Sequence, residues 1–84
     1  MKDNKVNVDL IVPSIGEKYN VFIPVNKTIG EVIVILNNMI KDLDSSFPSL
    51  NNLSLLDIID NKIYDINIDV INTGIKNGTI LALI

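Results

Sequence analysis

The side chains in this sequence whose types and spacing could do chemistry are carboxylates. Asp65-Ile66-Asn67-Ile68-Asp69 places oxygen donors at alternate positions, as the opening of a calcium loop does. Such a loop also needs glycine at its sixth position and an acidic ligand at its twelfth. Counted from Asp65, those positions are Val70 and Lys76. The run therefore reads as a solvated loop with Asx turns. Asp42 with Asp44, and Asp57 with Asp60, are spaced as pairs, but acid–base work requires carboxylates that converge in a cleft. The first pair falls at a helix end and the second near a turn, so all four are expected at the surface. There is no His and no Cys, which excludes thiol chemistry, disulfides, zinc sites of the ordinary type and His-based catalysis. The four Gly are isolated, so no phosphate-cradling loop exists. Asn26-Lys27-Thr28, Asn52-Leu53-Ser54 and Asn77-Gly78-Thr79 match the glycosylation pattern; with 12 Asn in the chain these are read as coincidence. The residues thus predict no enzyme, no cofactor and no metal.

What remains is a protein that binds. The 84 residues make a single domain, 1–84, and 48% of them are hydrophobic, enough for one core. Sixteen are Ile, a β-branched residue that favours strands. Net charge is -3, and the seven Lys are scattered at 2, 5, 18, 27, 41, 62 and 76. Nucleic-acid binding and a polybasic membrane patch both need clustered basic residues, so neither is expected. No run approaches the roughly 18 apolar residues of a membrane span. Met1 to Lys5 is polar, without a signal-peptide character. A disulfide-free sequence fits a cytoplasmic location.

The elements follow from periodicity. Val6, Val8, Leu10 and Val12 alternate with Asn7, Asp9 and Ile11, which is a half-buried strand. Pro13 to Lys18 is a loop, and Tyr19 to Val25 alternates again with Tyr19, Val21, Ile23 and Val25 on one face, completing an antiparallel hairpin. Pro24 should sit near the strand end or at an unpaired site. Thr28-Ile29-Gly30-Glu31 is a capping-box pattern that opens a helix to about Leu43. Ile29, Val32, Ile33, Leu36, Ile40 and Leu43 form its apolar stripe, opposite Asn37, Asn38, Lys41 and Asp42. A third strand is expected over Leu53 to Ile59, with its register open. A turn at Asp60-Asn61 and a short strand at Ile63-Tyr64 follow. Ile66, Ile68, Val70 and Ile71 should pack over the bottom of the core. A turn with positive φ at Gly78 leads to a closing strand that ends at Ile84. The order is ββαβββ, an α+β domain in which one helix covers one face of a mixed sheet of four to five strands.

With its opening hairpin, Thr28-Ile29-Gly30-Glu31-Val32 at the helix start and Val70 to Leu83 at the close, the chain resembles the β-grasp (ubiquitin-like) proteins. Within them it is similar to the YukD/EsaB-like group of small bacterial proteins, through the Gly74-Ile75 to Leu83 ending. The resemblance implies a central parallel pairing of the first and last strands. It also implies a cytoplasmic accessory or regulatory role in type VII (WXG100) secretion of Gram-positive bacteria, with a secretion-machinery membrane component as partner. Ubiquitin-like proteins that react through their C-terminus require a Gly-Gly extension. Ile84 ends this sequence without one, which predicts docking rather than conjugation. A ubiquitin-like or sulfur-carrier protein continuing beyond Ile84, and a domain of a larger secretion membrane protein, are the alternatives.

That reading places a candidate protein-binding patch on the sheet face away from the helix: Ile11, Phe22, Ile80, Ala82 and Ile84. Replacing Phe22 with Glu is expected to abolish binding with little loss of fold. A one-residue slip of register would exchange the two faces. Val34 and Ile35, with Asn38, flank the helix stripe and are expected to pack under the crossover loop, the alternatives being a second contact surface or a homodimer face. A monomer or weak homodimer is expected.

Overall fold

The computed structural model describes residues 4–48 and 52–84. Chain order is β1 (Lys5–Val12), a 3-10 turn (Pro13–Ile15), β2 (Glu17–Pro24), α1 (Ile29–Leu43), β3 (Leu55–Asp57), β4 (Lys62–Ile63), a second 3-10 turn (Val70–Asn72) and β5 (Ile80–Leu83). The five strands form one mixed sheet in the order β2-β1-β5-β3-β4. β1 pairs β2 antiparallel, from Lys5 opposite Pro24 to Val12 opposite Glu17. β1 and β5 run parallel at the centre, with Asp9 opposite Ile80 and Ile11 opposite Ala82. β3 and β5 are antiparallel, as are β3 and β4. The α+β architecture and the ββαβββ order expected from the sequence are both present.

The alternation in β1 and β2 decides which face is covered. Val8, Leu10 and Val12 from β1, Val21 and Ile23 from β2, and Leu81 and Leu83 from β5 share a core with Ile29, Val32, Ile33, Leu36 and Ile40 of α1. Each fully buried aliphatic side chain of this kind contributes about 1.5–3 kcal/mol through removal from water. The helix begins where the capping box predicts: Glu31 N–H donates to Thr28 Oγ1 at 3.1 Å, and Thr28 N–H donates to Glu31 Oε1 at 2.9 Å. Pro24 ends β2. The Val25 amide donates to the Asn4 carbonyl at 2.7 Å, so by antiparallel alternation the proline nitrogen faces the open edge, where no donor is required.

Several expectations give way. Leu43 lies on the helix stripe but is 63% exposed, so the last turn runs beyond the cover of the sheet. Asn37 is half-buried rather than on the polar side, and its Oδ1 is shielded without a partner among the described residues. The third strand covers only Leu55–Asp57, because the chain turns immediately afterwards and leaves Ile58 and Ile59 exposed. The short strand after Asn61 is Lys62–Ile63, and Tyr64 leaves it to enter the core. Of the four residues expected over the core bottom, only Val70 is buried; Ile66, Ile68 and Ile71 are exposed. That segment packs through its backbone instead. Ile29 N–H donates to Ile68 O and Gly30 N–H to Ile66 O, both at 2.9 Å, which satisfies two of the amides that open the helix.

Candidate protein-interaction face

Strand pairing fixes the residues of the uncovered sheet face, because directly opposed residues lie on the same side. One row crosses all five strands: Lys18, Ile11, Ala82, Leu56 and Ile63. A neighbouring row holds Asn20, Asp9 and Ile80. Ile84 continues β5, its N–H donating to Ser54 O at 3.0 Å while Ser54 N–H donates back at 2.7 Å.

The five sequence-predicted residues all fall on this face, but they do not form one patch. Ile11, Ile80 and Ile84 gather around Ala82. Phe22 is 68% exposed and stands opposite Asn7, across two polar positions from Ile80. Asn7 and Asn20 exchange side-chain hydrogen bonds at 2.8 and 3.0 Å, and Asn20 Nδ2 also donates to Asp9 Oδ1 at 3.1 Å. This polar island separates Phe22 from the apolar half of the face. Ala82 is itself only 2% exposed, because its methyl lies between the longer Ile11 and Leu56 side chains. It forms the floor of the patch rather than its contact surface.

Two residues of the patch escaped the sequence reading. Leu56 and Ile63 stand directly opposite each other on β3 and β4 and carry the apolar surface to the sheet margin; Ile63 is 58% exposed. Leu55, Leu56, Ile58 and Ile59 are all apolar, so no alternation marked which of them faced outward. On the helix side, Val34 and Ile35 are exposed rather than packed under the crossover, and Asn38 beside them is exposed too.

The carboxylates serve the fold. Asp65 Oδ1 accepts the Asn67 amide at 2.8 Å in the expected Asx turn. Asp44 accepts from the Ser46 amide and hydroxyl. Asp57 departs from its expected surface position: it is buried, with Oδ1 accepting the Asp60 amide at 3.0 Å and Oδ2 the Tyr64 hydroxyl at 2.9 Å. The Asp60 amide is the main cause that holds its carboxyl below the usual aspartate range, with the Tyr64 bond adding to it. Burial, and then the bond to Asp57, pushes the Tyr64 hydroxyl well above the usual tyrosine range. A cleft of about 410 Å³ lies beside Asp57, lined also by Asp60, Gly74, Lys76 and Thr79 among others. Its buried carboxylate is already committed to two donors, so the cleft wall offers no free acid or base from Asp57. No cluster of metal-ligating side chains and no helix long and apolar enough to cross a membrane occurs among the described residues.

No family model matches the chain, and no curated protein matches it in sequence. Solved structures do match its fold. A protein described as a molecular mimic of SUMO that promotes DNA repair superposes with a TM-score of 0.78 at 17% identity, covering 100% of this chain and 95% of that one. The ubiquitin-like domain of the Mycobacterium tuberculosis type VII secretion protein EccD1 superposes with a TM-score of 0.74 at 9% identity, covering 95% and 97%. A chain of the ESX-5 inner membrane complex gives a TM-score of 0.71 at 12% identity, covering 98% of this chain and 21% of that chain. At these identities the likeness is one of fold: the chain has the ubiquitin-like β-grasp fold.

Proposed function

We propose that this chain is a non-enzymatic, non-conjugated ubiquitin-like docking module, acting in the cytoplasm as an accessory component of a type VII secretion apparatus. One observation carries the docking half: the uncovered sheet face holds a continuous apolar patch, Ile11, Ile80, Leu56, Ile63 and Ile84 around Ala82. Apolar surface concentrated on a face that no other element among the described residues covers is the usual mark of a protein contact. The likeness to the EccD1 domain and to a chain of the ESX-5 complex supports the secretion half. The partner in this reading is a membrane component of that machinery, engaged by a module that does not itself enter the bilayer.

The test is affinity capture from cytosol and solubilised membranes of the producing cell, read by mass spectrometry, with wild type beside Ile63→Glu and Phe22→Glu. Wild type and Phe22→Glu should recover secretion-complex subunits, and Ile63→Glu should lose them. Equal recovery by Ile63→Glu would remove the patch from the account. Recovery of unrelated proteins alone would remove the secretion assignment, and covalent adducts would replace docking by a carrier function.

A further inference from the structure

Asn77 and Gly78 together imitate one rung of the central parallel ladder. The regular β1–β5 register starts with Asp9 opposite Ile80, and Asp9 N–H donates to Thr79 O at 3.0 Å. Two residues earlier the chain is still in its turn, with Gly78 at φ +90. The backbone of Asn7 would be left unpaired on that side. Instead its N–H donates to the side-chain carbonyl Oδ1 of Asn77 at 2.8 Å, and its carbonyl accepts Gly78 N–H at 2.9 Å. A side-chain amide and the following main-chain amide replace the two groups that a strand residue would supply.

Those two groups are also the reactants of a known side reaction. In an Asn-Gly sequence the Gly nitrogen attacks the Asn side-chain carbonyl carbon, because no side chain on the Gly hinders approach. The Gly78 N–Cγ bond forms, the Cγ–Nδ2 bond breaks, and the Gly78 proton leaves with Nδ2 as ammonia. Water then opens the succinimide at one of its two carbonyls, giving aspartate or isoaspartate. Asn77 is the only one of the 12 Asn that precedes a Gly. In the folded chain both reactants are held by the same residue: Oδ1 points at the Asn7 amide, and the Gly78 hydrogen is engaged by the Asn7 carbonyl.

We propose that Asn77–Gly78 is a latent deamidation site that the Asn7 backbone keeps closed, so that its modification records opening of the β1–β5 junction. Reaction requires both hydrogen bonds to break, and the native structure allows this only through local or global unfolding. The aspartate product keeps an acceptor for Asn7 N–H. The isoaspartate product lengthens the backbone and carries Gly78 away from the Asn7 carbonyl, which makes the opening permanent.

The experiment incubates the full chain at mildly alkaline pH, native and in guanidinium chloride, and follows the amide-to-acid mass gain at Asn77 by peptide mapping. Val8→Ala, which leaves a void beside Asn7 in β1, is run in parallel, with Gly78→Ala as the chemical control. Native deamidation should be slower than denatured by a factor on the order of ten or more, as protection by a cooperative opening requires. Val8→Ala should fall between, or reach the denatured rate if it unfolds, and Gly78→Ala should be slow in denaturant. Equal native and denatured rates in wild type would overturn the protection. Absence of the mass gain at Asn77 in denaturant would overturn the site itself.

Discussion

The Tyr64 hydroxyl donates to the Asp57 carboxylate across 2.9 Å, with both side chains buried where β3 meets β4. β3 and β4 have only three and two residues, so few ladder bonds hold this margin of the sheet. A bond to a charged acceptor contributes about 1.5–3 kcal/mol. Tyr64→Phe keeps the ring, and with it the Lys62 ammonium 5.4 Å from the ring centroid. It should lower unfolding stability by about 1.5 kcal/mol or more in a denaturant titration. A loss below about 0.5 kcal/mol would mean that the pair is solvated in solution.

The same pair sets limits at both ends of the pH range. Asp57 titrates lower folded than unfolded, so its contribution is complete above the usual aspartate value of 3.8 and is lost as pH falls below it. Glu31 and Asp44 shift in the same direction, through bonds from Thr28 and Ser46. Tyr64 titrates higher folded than unfolded, so its contribution is complete below the usual value of 10.0 and declines as pH rises past it. The denaturant midpoint should therefore fall on both sides of a neutral plateau. In Tyr64→Phe the alkaline fall should be reduced, and an unchanged alkaline limb would assign that loss to another group.

Gly30 occupies the first turn of α1, where alanine would ordinarily stabilise by about 1 kcal/mol. Here a Cβ would meet the Ile66 carbonyl oxygen at 3.2 Å, and that oxygen is fixed by accepting Gly30 N–H. Overpacking of this kind costs about 1–3 kcal/mol. Gly30→Ala should therefore destabilise by about 1 kcal/mol net. A stabilised variant in thermal melts would show that the 66–68 segment yields easily.

The capping box predicts a smaller and cleaner effect. Thr28→Ala removes the acceptor of Glu31 N–H and should cost about 1 kcal/mol, while Thr28→Ser should recover most of it. Equal stabilities for the two variants would leave the cap without a measurable part in the fold.

The interaction face should be separable from stability. Ile63 and Phe22 are 58% and 68% exposed, so Ile63→Glu and Phe22→Glu should each stay within about 0.5 kcal/mol of wild type. Circular dichroism and a denaturant titration on both variants check this. Unfolding of Ile63→Glu would make Ile63 part of the core and would discredit its use in capture experiments.

Local pattern determined much of this protein. The alternation of Val6 to Val12 and Tyr19 to Val25 assigned the hairpin and its two faces, since the side-chain period of a strand is two. Thr28 and Glu31 marked the helix start, because the capping box closes within four residues. The outward positions of Ile11, Phe22, Ile80 and Ala82 followed from the same parity. Only the tertiary structure decided what those positions became. Ala82 is covered because Ile11 and Leu56, from strands distant in sequence, flank it, and Phe22 is set apart because the hairpin register and side-chain hydrogen bonds join Asn7, Asn20 and Asp9 into a polar island beside it. Asp57 and Tyr64 are buried because each satisfies the other, and no periodicity encodes a partner. Ile66 and Ile68 face solvent because their carbonyls, not their side chains, meet the helix. Periodicity reports which way a side chain points along its own strand; burial depends on what the rest of the chain brings to that side.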